Sequence, residues 1–265
     1  MKNLALLSLA AAALLSGCTV RATSSGSGSS GPMSTAPTTL HSSSYDVSQL
    51  RASMSAQAGD STVKVYAALF ADDANANNVA VVLDSGDFFT VQAGTGDAVV
   101  LVHEPAEDPT DVHYTATLPE ASSAQDLVIA FHRAAGRRDA PSTLIHLPDP
   151  FQIESTPPVS VKKGTSLDVQ VSRDLGSMAE LEVSGKCLDP DQNPASWIVL
   201  DYNDSITIDT SGLVYQQGET TGCDVSFYLS EVTDGSLDPN FLGGVSGWLD
   251  VEGIQKRGFD TTVVP

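Results

Sequence analysis

Apolar and polar residues alternate along most of the chain after residue 44, in short runs separated by turn-forming residues. In residues 50–56, for example, Leu, Ala, Met and Ala alternate with polar residues, and Gly59-Asp60 follows as a turn signal. A period of two residues places successive side chains on opposite faces of a strand, so such runs predict β-strands. Runs of the same kind lie at residues 62–70, 79–83, 88–91, 98–102, 112–118 and 127–131. This rhythm is typical of a β-sandwich, and a helical period occurs only weakly, at residues 47–57.

The alternation pauses at residues 147–151, where Leu-Pro-Asp-Pro-Phe marks a junction, and then starts again. The later runs lie at residues 151–153, 159–161, 167–171, 179–183, 198–200, 206–208, 225–229, 248–251 and 261–264. Lys163-Gly164-Thr165, placed before an alternating strand, resembles the start of immunoglobulin-like bacterial modules, and this resemblance in strand rhythm implies such a sandwich for the second unit. We therefore predict an all-β protein with two tandem immunoglobulin-like β-sandwich domains, at residues 45–148 and 149–265.

The first residues of the chain have the pattern of a secretory signal peptide. Lys2 gives a positively charged start, and residues 4–15 form an apolar run that only Ser8 interrupts. As a helix this run would be about 18 Å long, which is too short for a hydrocarbon core of about 30 Å. A charged start, a short apolar segment and small residues after it predict an export signal at residues 1–17.

The end of this segment, Leu15-Ser16-Gly17-Cys18, resembles the lipobox of bacterial lipoproteins. The resemblance implies that the Cys18 thiol receives a diacylglycerol, that the chain is cut before Cys18, and that the new amino group is acylated, commonly with palmitate. Two or three acyl chains are enough for stable anchoring. Thr19 stands where an aspartate would retain a lipoprotein in the inner membrane, so the resemblance implies the outer membrane. The alternative is an ordinary signal peptide with Cys18 near its cleavage site by chance.

Residues 18–44 are predicted to form a lipidated tether. Nineteen of the 26 residues from 19 to 44 are Ser, Thr, Gly or Pro, and Arg21 is the only charged one. Such a composition cannot bury enough apolar surface to order itself. As a flexible coil, a segment of this length spans about 28 Å root-mean-square. We therefore predict that this segment is a tether between the lipid and the sandwich domains.

The net negative charge of the chain argues against nucleic acids and anionic lipid headgroups as partners. Without residues 1–17 the chain has 12 basic and 33 acidic side chains, a formal charge of −21. Nucleic acids and anionic headgroups repel such a chain, so we expect no nucleic-acid partner and a membrane contact made by the lipid alone. Arg133, Arg137 and Arg138 form the densest basic group, and we predict them at a solvated hairpin tip. The expected partner is an envelope protein or a glycan.

Two cysteines remain once Cys18 is assigned to lipid. Cys187 and Cys223 form an even pair in an exported and oxidising compartment, which predicts a disulfide. Such a bond would close a loop of about 36 residues and contribute roughly 3–4 kcal/mol on the chain-entropy estimate. Zinc is a weaker alternative because a structural site needs four ligands and no histidine is close in sequence.

Two acidic loops are candidate calcium sites. Their oxygen-bearing residues are Asp73, Asn75, Asn77 and Asp84 in the first loop, and Asp189, Asp191 and Asn193 in the second. Oxygen ligands at alternate positions suit Ca²⁺, and extracellular modules need only weak affinity. The first loop departs from an EF-hand at its sixth position, where Asn78 replaces Gly, and at its twelfth, where Asp84 replaces Glu. Metal-free turns rich in Asp and Asn are the alternative for both loops.

Motifs for catalysis are scarce. The chain has no G-x-S-x-G elbow, and His103-Glu104-Pro105 lacks the second histidine and the helix of a zinc motif. We expect the five histidines to pack on strand faces or to lie in solvent. The favoured hypothesis is therefore a non-enzymatic envelope lipoprotein with no cofactor. The alternatives are a calcium-dependent carbohydrate-binding or adhesion module and, more remotely, an envelope hydrolase that uses a carboxylate pair.

Overall fold

The predicted alternation of apolar and polar residues corresponds to alternating burial in the computed structural model. In β2 (Arg51–Ala58) and β3 (Thr62–Ala71), every second side chain is buried in the protein core. The structure describes residues 40–59, 61–72, 78–105, 111–134, 136–155, 158–176, 179–189, 196–198, 203–218, 221–244 and 251–264. These residues form strands and three single-turn 3₁₀ helices and no α-helix, so the all-β prediction is confirmed.

The remaining strands of the described residues are numbered in chain order. They are β1 (Leu40–His41), β4 (Val79–Val82), β5 (Phe88–Ala93), β6 (Val99–Val100), β7 (Val102–Glu104), β8 (His113–Pro119), β9 (Gln125–His132), β10 (Ala140–Leu147), β11 (Ser160–Lys162), β12 (Ser166–Gln170), β13 (Ala179–Ser184), β14 (Ser196–Ile198), β15 (Ser205–Asp209), β16 (Cys223–Asp234), β17 (Gly243–Gly244) and β18 (Val251–Val264). The 3₁₀ helices are Ser42–Ser44, Val47–Gln49 and Thr210–Gly212.

Most of these strands belong to one large sheet. Its main order is β1-β4-β3-β2-β18-β16-β13-β14, and β8 with β7 extends it beside β3. The longest ladder joins β16 and β18 as antiparallel neighbours through twelve residue pairs. β18 also pairs in parallel with β2, which lies two hundred residues earlier in the chain. The large sheet therefore contains strands from both predicted domains.

A second sheet of four strands, in the order β10-β9-β5-β6, covers part of the large one. Its inward side chains include Phe89, Ile129 and Phe131, which are completely buried. They pack against the inward side chains of β2 and β3, such as Met54 and Val65, in the first hydrophobic core. Two sheets that face each other in this way bury one face of each, as the alternation predicts.

A second hydrophobic core lies farther along β16 and β18. There the pair β12 and β15 contributes residues such as Val169 and Ile208, and β16 contributes Val225 and Phe227. Side chains alternate along β18, so Val251 of the first core and Val263 of the second lie on the same face of the sheet. Both cores thus share one sheet surface, and the division into two tandem immunoglobulin-like domains stays a prediction.

A polar seam separates the two cores on that surface. Arg257 of β18 donates from Nη2 to Glu120 Oε1 at 2.7 Å, and Arg173 forms an ion pair with Glu231 of β16. Both guanidinium groups lie near the ring of Phe151, whose centroid is 5.8 Å from Arg257 and 5.9 Å from Arg173. The buried Arg257 and the partly exposed Arg173 are therefore each paired with a carboxylate, and for Arg257 the low dielectric of the interior requires such a partner.

Gly253 allows β10 to approach β18 closely. A Cβ atom at residue 253 would lie 1.9 Å from the main-chain oxygen of His146, an atom that cannot move without shifting β10. We therefore expect Gly253→Ala to lower the free energy of unfolding by about 2–3 kcal/mol, in the upper part of the usual range for overpacked substitutions. Gly59→Ala is the matched control, because its nearest contact would be 3.9 Å away. Urea denaturation of both variants checks this, and equal stability would contradict it.

Candidate functional site

Leu40 is the first residue that the structure describes, and it lies within the predicted tether. Residues 40–50, which we call the N-terminal strap, include five residues that we predicted as linker. Leu40 and His41 pair in parallel with Val81 and Val82 at an edge of the large sheet. Leu40, Val47 and Leu50 are buried in the first core. The strap is therefore the place where a pull on the preceding residues would reach the fold.

A buried ion pair holds the strap against the four-stranded sheet. Arg133 follows β9 directly, and its side chain is 1% exposed, while that of Asp87 is 2% exposed. Arg133 Nη2 donates to the main-chain oxygen of Ser42 at 2.6 Å and lies 3.4 Å from Asp87 Oδ2. Arg133 Nη1 donates to the main-chain oxygen of Tyr45 at 2.9 Å. One guanidinium group thus joins two strap carbonyls to one buried carboxylate.

Asp87 is held in place by its own hydrogen bonds. Its Oδ2 accepts from the Ser42 hydroxyl at 2.8 Å, and its Oδ1 accepts from the Ala134 N–H at 2.7 Å. Gly86 precedes it with φ of +94°, a left-handed conformation that favours glycine. The Asp87 N–H donates to Asp84 O at 3.0 Å and closes the turn. The turn Ser85-Gly86 therefore aims Asp87 inward, although a sequence of this kind normally lies in solvent.

Asp84 forms a second, more exposed contact with the strap. Its Oδ2 accepts from the Ser43 N–H at 2.7 Å, and its Oδ1 lies 3.0 Å from His41 Nδ1. Hydrogen bonds from the Ser43 side chain and main chain lower the pKa of the Asp84 carboxyl, and His41 adds to this effect. A lowered pKa means that the folded state favours the carboxylate. This stabilisation is present at neutral pH and is lost as the pH falls through the pKa of folded Asp84.

Our prediction for Arg133 was wrong, because its neighbours along the chain suggested a solvated tip. Arg137 and Arg138 are exposed as expected, but Arg133 is buried with Asp87. Nothing in the local sequence distinguishes Asp87 from the other acidic turn residues. Its partner is 46 residues away along the chain, and burial of the pair becomes visible only when β5 and β9 are neighbours.

The disulfide prediction is confirmed. Cys187, in the turn after β13, is bonded to Cys223, the first residue of β16, with their Cα atoms 5.9 Å apart. This separation is within the usual range for disulfides. β13 and β16 are antiparallel neighbours in the large sheet. The bond therefore joins the ends of adjacent strands, in contrast to antibody domains, where the bond joins opposite sheets.

The calcium predictions fall mostly on residues that the structure does not describe. Asp73, Asn75, Asn77, Asp191 and Asn193 lie outside the described residues. Asp84 is described, and both of its carboxylate oxygens contact the strap. Asp189 is described too, and its N–H donates to Val214 O at 2.9 Å. Within the described ranges, no three His, Cys, Asp or Glu side chains are grouped to hold a metal ion. The two calcium loops stay a prediction.

The histidines lie on strand faces beside aromatic rings or carboxylates. His132 stacks on Phe88 with ring centroids 4.7 Å apart. The closest polar or aromatic neighbours of the others are Asp84 for His41, Tyr114 for His103, Asp111 for His113 and Asp126 for His146. Each histidine is thus held by a local neighbour, and no two of them approach one another in these contacts.

An ion pair lies on the outer face of the large sheet, next to His113. Lys64 Nζ lies 3.0 Å from Glu104 Oε2 and 4.9 Å from the centroid of the Tyr66 ring. The hydrogen bond to Glu104 raises the pKa of Lys64, and the hydrogen bond from Lys64 lowers the pKa of Glu104. Both shifts favour the charged forms. The pair is therefore suited to electrostatic pairing and poorly suited to proton transfer near neutral pH.

Two carboxylates face each other elsewhere on this sheet. Asp234 of β16 is directly opposite Glu252 of β18. Burial raises the pKa of Glu252, and the charges of Glu180 and Asp234 raise it further. The alternative hypothesis of a carboxylate hydrolase requires such a pair to line a cleft. The surface depression beside β18 is lined by Gln57, Gly59, Tyr228, Lys256 and Gly258, and its described lining includes neither acid.

Similarity to other proteins does not narrow the function. Neither a scan against protein-family models nor a search of curated proteins finds a match to this chain. No helix long and apolar enough to cross a bilayer occurs among the described residues. Two arrangements of the described residues remain as the basis for a proposal. Arg133 and Asp87 hold the strap, and the disulfide holds the start of β16.

Proposed function

We propose that this chain is a non-enzymatic cell-envelope lipoprotein that is anchored by lipid on Cys18 and presents a large β-sheet surface to a partner in the envelope. The observation that carries the proposal is Leu15-Ser16-Gly17-Cys18 at the end of a short apolar segment. A lipid on Cys18 accounts for the membrane attachment of a chain with a formal charge of −21, which anionic headgroups would repel. The outer membrane is the proposed location because residue 19 is Thr.

Two features of the folded part support this proposal. The bond between Cys187 and Cys223 is of the kind that persists in exported proteins, where the environment is oxidising. The strap gives the tether a firm attachment, because Arg133 and Asp87 join it to the core by buried, charge-assisted hydrogen bonds. A tethered protein needs such an attachment, since thermal motion of the tether would otherwise fray the first strand.

Replacing the acylated cysteine tests the anchor. We expect Cys18→Ala to abolish lipidation and to move most of the protein from the membrane fraction to the soluble fraction, because no acyl chain then holds it. Cell fractionation with immunodetection measures the distribution, and mass spectrometry of the N-terminal peptide measures the lipid. Thr19→Ala is the matched control and should stay in the membrane fraction. Lipid-free wild-type protein, or wild-type levels of membrane-bound Cys18→Ala after signal cleavage, would contradict the proposal.

A further inference from the structure

One side of β18 is only partly covered by neighbouring strands. β2 pairs with residues 251–255 and β11 with residues 262–264, both in parallel. Among the described strands, none pairs with residues 256–261 on this side. The Thr262 N–H donates to Val159 O on the same side at 3.0 Å. Main-chain groups of alternate residues point the same way along a strand, so Gly258 directs its N–H and C=O into this gap.

A depression of about 380 Å³ lies at the gap, on the outer face of the sheet. It is lined by Gln57 and Gly59 at the end of β2, by Lys256 and Gly258 of β18, and by Tyr228 of β16. Sites for small ligands are usually clefts of roughly 300–1,000 Å³ with a few convergent polar groups. The depression is therefore large enough for one ring-sized ligand with its substituents.

Two unused polar groups point to a hydrogen-bonding ligand. In the described part of the chain, neither the Gln57 amide nor the Tyr228 hydroxyl has a hydrogen-bond partner. The Tyr228 ring packs closely against Gly258, since a Cβ there would lie 2.5 Å from Tyr228 Cδ1. The Lys256 ammonium lies 4.5 Å from the centroid of the same ring. The ring is thus held in place before any ligand arrives, which limits the entropy lost on binding.

The charge of the lining restricts the class of ligand. The Lys256 ammonium forms an ion pair with Glu182, so the described lining residues supply no unpaired cation for a phosphate or carboxylate. Among the described lining residues, the tyrosine ring is the one large apolar surface, which is too little for an aliphatic peptide side chain. A neutral ligand with many hydroxyl groups matches amide, hydroxyl and main-chain hydrogen-bonding groups around one aromatic ring. We propose that this depression binds a neutral sugar residue of a glycan, which makes the presented sheet a glycan-binding surface.

Titration with soluble sugars tests this inference, which rests on the presenting role proposed above. The full-length chain is purified in a detergent that contains no sugar. Saturation-transfer difference NMR is then recorded with neutral oligosaccharides of glucose, N-acetylglucosamine, mannose and galactose. We expect at least one of them to bind with millimolar affinity, and Tyr228→Phe and Gln57→Ala each to weaken it about five-fold, the effect of losing one hydrogen bond.

Tyr66→Phe is the matched control, because Tyr66 lies on the same sheet face under a lysine but outside the depression. It should leave the affinity unchanged. Absence of binding by all four sugars, or binding that survives both Tyr228→Phe and Gln57→Ala, would overturn the inference. Tyr228→Phe keeps the ring on Gly258, so its loss of affinity would not reflect unfolding. Cys18→Ala should bind the same sugar as the wild type, which separates failure of this inference from failure of the anchor.

Discussion

Replacing Asp87 by alanine is expected to lower the free energy of unfolding by about 3–5 kcal/mol, the usual loss when one partner of a buried ion pair is removed. The substitution leaves the Arg133 guanidinium in the interior without its carboxylate, because the side chain is 1% exposed and water cannot replace the lost partner. It also removes the acceptor of the Ser42 hydroxyl and of the Ala134 N–H. Urea denaturation of the two proteins measures the difference.

Asp84→Ala is the matched control for this experiment. Asp84 also holds the strap, but its side chain is 30% exposed, so water can solvate the groups that it leaves. We expect a loss of about 1 kcal/mol or less, as for surface ion pairs. If Asp87→Ala cost no more than Asp84→Ala, the buried pair would not be the main attachment of the strap. Asp87→Asn should fall between the two, because it keeps the shape of the side chain and loses the charge.

Asp87→Ala should also loosen the strap, the segment that joins the proposed tether to the core. Once Asp87 is removed, the guanidinium that holds the main-chain oxygens of Ser42 and Tyr45 has lost its buried carboxylate, and Ser42 O keeps a weaker contact with Arg137 Nη1 at 3.4 Å. We expect hydrogen exchange of the amides in residues 42–50 to accelerate more than exchange in β9. Local opening of this kind would expose Leu40 and Val47, which are buried in the wild type. The strap would then detach from the core before the rest of the protein unfolds.

Strands with regular alternation could be predicted from the sequence because their burial follows the same period. Residues 62–70 and 127–131 are predicted strands, and β3 and β9 contain them. The weak helical period at residues 47–57 was wrong. There the structure has a single 3₁₀ turn and then β2, which buries every second residue. Pairing with β3 determines that residues 51–58 form a strand, and the alternation of buried residues in this segment fits a strand.

Periodicity predicts neither β10 nor the full length of β18. β10 contains Pro141 and Ser142, and the pairing of β10 with β9 shifts register between Ala140 and Thr143, so its alternation is broken. For the region of β18, the sequence predicts two short strands, at residues 248–251 and 261–264. In the structure Gly253 and Gly258 lie inside one continuous strand, Val251–Val264. Glycine is needed at both positions because β10 at residue 253 and the Tyr228 ring at residue 258 come too close for a Cβ atom. Each glycine marks a close approach of another segment, which the neighbouring sequence does not reveal.

The functional features of the chain also differ in whether they can be predicted from the sequence. Cys18 and the pair of Cys187 and Cys223 were predicted from a short motif and from the even number that remained, and neither argument needs the fold. Arg133 and Asp87 carry no such signal, because a buried charge is recognised only through its partner. The depression beside β18 also escaped prediction, since Gln57 and Tyr228 become neighbours only through the pairing of β2 and β16 with β18.

Replacing Cys187 and Cys223 together by alanine is expected to destabilise the second core by about 3–4 kcal/mol. The bond closes a loop across 36 residues and so restricts the unfolded chain. That loop includes β15, whose Ile206 and Ile208 are buried in the second core. Urea denaturation of the oxidised wild type and the double variant measures the loss. Addition of a reductant should shift the wild type to the same midpoint and leave the double variant unchanged.

The shape of the transition in this experiment distinguishes two modes of unfolding. If the two predicted domains unfold separately, the double variant should lose a stable second core while exchange protection in β2 and β3 stays at the wild-type level. If the large sheet unfolds as one unit, β2 and β3 should lose protection together with β15, because β18 joins both cores through its ladders with β2 and β16. The ion pair of Arg257 with Glu120 favours joint unfolding, because Arg257 lies in the second predicted domain and Glu120 in the first, so that separating the two would leave both charges without their partner. If the wild type is fully oxidised and the double variant is less stable by under about 1 kcal/mol, the disulfide does not stabilise the second core as proposed.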